Sequence, residues 1–88
     1  MTLPTIHTNG DTKDTLYHQC GVALEAVRLA VAACREMVPN GRNYYPQGGN
    51  AFSDALIEHC DRVVNLTAVQ RDLEVMLDGI ADGGHKSP

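Results

Sequence analysis

The chain has 88 residues, enough for one domain and too few to bury a large core. Its hydrophobic fraction is 43%, but three tyrosines and one phenylalanine are its whole aromatic content, so a core must come from Ala, Val, Leu, Ile, Met and Cys, a set suited to close helix packing rather than a β-sandwich. The formal charge of −4 argues against a nucleic-acid polymer as partner, which would need a field of Lys and Arg, but leaves room for a small anion held by one or two arginines.

Residues 1–10 hold Pro4, Thr, Asn and Gly without periodicity and read as a flexible arm whose Leu3 and Ile6 could dock on a neighbour. This start has neither the basic beginning nor the apolar centre of a signal peptide, and the longest apolar run is too short to cross a bilayer. Cys20, Cys34 and Cys60 are odd in number and form no CxxC, so they read as reduced thiols of a cytoplasmic protein.

A helical hairpin is expected over residues 11–82. The first helix spans about 12–38, with Asp11 or Thr12 as N-cap and Asp14 in the first turn, where the helix dipole favours a negative charge. Its apolar series Leu16, Cys20, Ala23, Val27, Ala30, Cys34, Met37 steps alternately by four and three. A second row holds Tyr17, Leu24, Val31 and Val38, and a weaker third holds Val22, Ala26, Leu29 and Ala33. Only the strip through His18, Gly21, Glu25, Arg28, Ala32 and Arg35 looks solvated. A helix packed on one neighbour needs a single stripe about 100° wide, so this one should touch at least two others. Pro39 and Asn40-Gly41 end it.

A loop over residues 39–50 follows. The second helix spans about 51–80, capped between Asn50 and Ser53, with the series Phe52, Leu56, His59, Val63, Leu66, Gln70, Leu73, Leu77, Ile80. Gly79 or Gly83 would end it, and residues 83–88 read as a disordered tail. The fold class is therefore all-α: an antiparallel hairpin that covers its first helix by assembling into a homo-oligomeric bundle, a four-helix dimer or a larger ring.

The loop GRNYYPQGGNAF carries most of the chemistry. Arg42 offers a planar fork of donors for phosphate or carboxylate. Tyr44 and Tyr45 can stack on a flat ring, and Asn43 and Gln47 can read a base edge. That is the residue mix of a nucleotide pocket. It is equally the mix of a built turn, with Arg42 answering the first helix's C-terminal dipole and one tyrosine folded over the bundle end. His59 and Gln70 lie on an apolar row, where polar groups need partners. They read as cross-bundle hydrogen bonds fixing register, with a pocket role for His59 as the alternative. Neither His18/Cys20 nor His59/Cys60 has the spacing that aligns two metal ligands on one helical face. No catalytic motif is present, so no enzyme and no cofactor are expected.

The positions Asn40, Arg42, Tyr44, Tyr45, Pro46, Gln47, Gly48, Phe52, Glu58 and His59 resemble an Asn-x-Arg-x-Tyr-Tyr-Pro-Gln-Gly turn, followed by Phe and a Glu-His pair, in small helical-hairpin proteins of proteobacteria and their phages. The resemblance covers about half the chain and brings no activity with it. In size, hairpin and expected oligomer, the chain is also similar to phage sponge proteins of anti-CBASS and anti-Thoeris type, which sequester cyclic nucleotides; no residue-level motif is shared. These likenesses imply a counter-defence protein in a bacterial host cell. Arg42, Asn43, Tyr44, Tyr45, Gln47 and His59 are then the candidate ligand-binding residues. The alternatives are a module that docks on a host or phage protein, and a purely structural bundle.

Overall fold

The computed structural model describes residues 1–86. Two long helices, α1 (Lys13–Arg35) and α2 (Ala51–Ala81), are joined by two short 3-10 turns, Gly41–Asn43 and Tyr45–Gln47. The hairpin is all-helical apart from one isolated bridge between Thr5 and Gly84.

Thr12 is the N-cap of α1: its hydroxyl accepts from the Thr15 amide, and Asp14 sits in the first turn. α1 ends at Arg35, earlier than the expected 38, because a residue before proline avoids the helical region and a proline ring clashes with the carbonyl four residues back. Asn50 precedes α2 without a side-chain cap bond.

The series of α2 faces α1 as its spacing predicts, with His59 and Ile80 buried and Phe52, Leu56, Val63, Leu66, Gln70, Leu73 and Leu77 half-buried. The face of α1 is different from its expected main row. Cys20, Leu24 and Val31 are buried and Val27 and Cys34 half-buried, whereas Ala23, Ala30 and Met37 are exposed. One partner helix covers one stripe, and the larger Leu24 and Val31 win it from the alanines. The Cys20 thiol donates to the Leu73 carbonyl at 3.6 Å and marks the antiparallel register. Gln70, expected to bond across the bundle, donates within the single hairpin to Glu74 one turn on, at 2.9 Å.

Residues 1–10 and 83–86 were expected as arm and tail; part of each is built into one end of the hairpin. Gly83 and Gly84 have φ of 104° and 76°. The Gly84 amide donates to the Gly79 carbonyl at 2.8 Å and the Gly83 amide to Ile80 at 3.0 Å, the paired bonds of a Schellman C-cap. The His85 amide then donates to the Pro4 carbonyl at 2.8 Å. Leu3 and Ile6 are half-buried on their own chain. The final two residues of the expected tail lie outside the described residues.

The molecule measures 61 × 23 × 17 Å, with a radius of gyration of 19.0 Å. A compact chain of this length would have one of about 12 Å.

Candidate functional site

The turn between the helices is built residue by residue. Asn40 accepts the Arg42 amide on its side chain and the Asn43 amide on its carbonyl, both at 3.0 Å. The Tyr44 amide returns to Gly41, that of Gln47 to Tyr44 and that of Gly48 to Tyr45, each at 3.0 Å. Pro46 presets the second turn. A Cβ at Gly41 would stand 2.7 Å from the Tyr45 hydroxyl, so the missing side chain makes room for that ring. Phe52 anchors both tyrosines, with ring centroids 6.4 Å from Tyr44 and 6.3 Å from Tyr45, the second pair edge-on.

This scaffold divides the candidate residues. Tyr44 and Gln47 line a cleft of about 400 Å³ with Met37, Pro39, Ala51, Asp54, Ala55, Glu58 and Arg62. Tyr45 does not line this cleft; it and Tyr44 border a smaller hollow with Gly48, Gly49, Phe52 and Ser53. Tyr45 is 71% exposed, so Tyr44 is the tyrosine that folds inward. Arg42 and Asn43 are exposed and line neither hollow. His59 is buried at 7% exposure and lines neither hollow. Among the described residues no side-chain hydrogen bond holds it, and none of the fully buried side-chain nitrogens or oxygens lacks a partner, so its polar edge reaches solvent.

Asp54, Glu58 and Arg62 were not among the binding residues expected from the sequence. Their spacing of four does put them on one face of α2, directly beneath Tyr44 and Gln47. Two carboxylates against one guanidinium make the cleft acidic. Its hydrogen-bonding groups suit a donor-rich or cationic group better than a phosphate. Among the described residues no cluster of three metal-ligating side chains occurs, and all three cysteines are free.

A second hollow of about 520 Å³ lies at the far end, walled by Leu3, Pro4, Leu16, Cys20, Met76 and Ile80 among others, and is largely apolar. Along the helices between the two ends, Val22, Leu29, Ile57, Val64 and Val75 are each more than half exposed. No helix is long and apolar enough to cross a membrane among the described residues. Compared with protein-family models, curated proteins and solved structures, the chain matches none.

Proposed function

We propose that the chain is a non-catalytic binding module that works as a homo-oligomeric helical bundle, its apolar outer faces packing helices of other chains. One observation carries this reading: the single hairpin leaves many large apolar side chains open on its outer faces. Among the described residues, eleven large hydrophobic side chains are exposed, against four apolar residues buried. The accessible surface is 6432 Å², about 1,400 Å² above that of a compact monomer of this mass. That excess per chain is larger than the roughly 800 Å² that a standard specific interface takes from each partner.

A second reading gives the oligomer a small ligand at the turn. The 400 Å³ cleft, with Tyr44 and Gln47 in its wall, favours it, being of ligand size. In this reading Tyr44 stacks on a flat ring, Gln47 reads its edge, and Arg62 replaces Arg42 as the nearest guanidinium. Asp54 and Glu58 weigh against a strongly anionic nucleotide there, so self-assembly and helix docking rank first.

Native mass spectrometry of protein purified from bacteria that make diverse cyclic nucleotides tests both. An oligomer without added mass is the expected result. An oligomer carrying a few hundred daltons of extra mass, lost on Tyr44→Ala, would put the ligand reading first. A bare monomer would contradict the proposal.

A further inference from the structure

The outer face of α2, turned away from α1, carries Ile57, Asp61, Val64, Ala68, Arg71 and Val75. The steps are four, three, four, three and four, the spacing of a coiled-coil seam. All six residues are exposed; Ile57, Val64 and Val75 stand at 60%, 65% and 54%. His59, Val63, Leu66 and Leu73, which face α1, lie on the opposite side of the helix.

Resting on the oligomer reading above, we propose that this row is the seam of a homodimer in which α2 lies antiparallel to α2 of a second copy. The row is complementary to itself when reversed. With the two-fold axis level with Leu66, Ile57 meets Val75 of the second copy, Val64 meets Ala68, and Asp61 meets Arg71. Each layer occurs twice, so two Asp–Arg pairs flank a small central apolar contact, with apolar layers outside them. The seam runs for about 27 Å, eighteen helical steps.

Charge selects this arrangement over its competitors. Parallel pairing would set Asp61 against Asp61 and Arg71 against Arg71, which repel. Sliding the antiparallel pair by one heptad in one direction would set Asp61 against Asp78. Sliding it in the other would pair Arg71 with Asp54 but set Asp61 against Val64, leaving its carboxylate in an apolar layer. A polar pair at seam positions is a known means of fixing orientation and register. The outer row of α1, with Val22, Ala26, Leu29 and Ala33, has no such pair and does not specify its own partner.

The test is a charge-reversal cycle read by sedimentation velocity, with circular dichroism to verify that each variant is helical. Asp61→Arg alone and Arg71→Asp alone should each weaken dimerisation about tenfold or more, because two attractions become two repulsions. The double variant should return to within about threefold of the original affinity, since its layers again pair opposite charges. Mixing the two single variants should regain association, because every Arg of one chain then meets an Asp of the other. A chain that associates equally well with and without either single reversal, or a double variant as weak as the singles, would overturn the seam while leaving the oligomer standing. A parent chain that sediments at 9.5 kDa at all concentrations would overturn both.

Discussion

The side chain of Leu3 lies over the bare backbone of Gly79: a Cβ there would stand 2.6 Å from Leu3 Cδ1. A residue from the start of the chain thus occupies the space left by a glycine in the last turns of α2. Gly79→Ala sets two effects against each other. The helix gains about 1 kcal/mol of propensity, and the arm loses its seat. The expected outcome is a hairpin of nearly unchanged melting temperature whose first ten residues are cut faster by protease. Unchanged cleavage would show that Leu3 does not hold the arm.

Gly84 is held more tightly. Its φ of 76° strains any L side chain, and a Cβ would collide with the Pro4 carbonyl oxygen. Gly84→Ala should cost about 1–3 kcal/mol locally. The His85 amide, which donates to Pro4, should lose its protection in hydrogen exchange while the amides in the middle of α2 keep theirs.

Leu24 is 2% exposed and one of the few fully buried side chains. Leu24→Ala should lower unfolding stability by about 2–4 kcal/mol in urea titration. The comparison Leu29→Ala, at a position 64% exposed in the hairpin, separates the two levels of structure. A dimer- or oligomer-dependent loss at Leu29 would locate an interchain contact on α1.

The three thiols should react in order of burial. Cys60 is exposed, Cys34 half-buried and Cys20 buried, and burial pushes the Cys20 thiol above the ordinary range. A raised folded value stabilises the fold below the unfolded thiol's range and is lost as pH rises through the folded value. Stability should therefore fall on the alkaline side, and Cys20→Ala should flatten that fall. With a thiol reagent at neutral pH, Cys60 should label first and Cys20 last; early labelling of Cys20 would contradict its place under Leu73.

The helices and the inward row of α2 were legible in the sequence because a strict alternation of three and four admits one face. α1 was only partly legible. Its apolar residues span so much of the circumference that spacing alone could not say whether Ala23 and Ala30 or Leu24 and Val31 meet α2. The clasp of Pro4 on Gly84 and His85 was not legible at all, since it pairs residues about eighty positions apart and its only local sign is the Gly83-Gly84 pair. The turn was legible as unusual, but its residues separate in space: Tyr44 and Gln47 face the cleft and Arg42 and Asn43 do not. Asp54, Glu58 and Arg62 were visible in sequence as one face of a helix, yet nothing local said that Tyr44 folds above them.

The most direct measurement is the urea unfolding midpoint of the unmodified chain at two protein concentrations a hundredfold apart. If folding is coupled to association, the midpoint rises with concentration, because mass action stabilises only the assembled state. If the midpoint is the same at both, the hairpin is stable by itself, and its exposed apolar faces are not the surfaces of an obligate assembly.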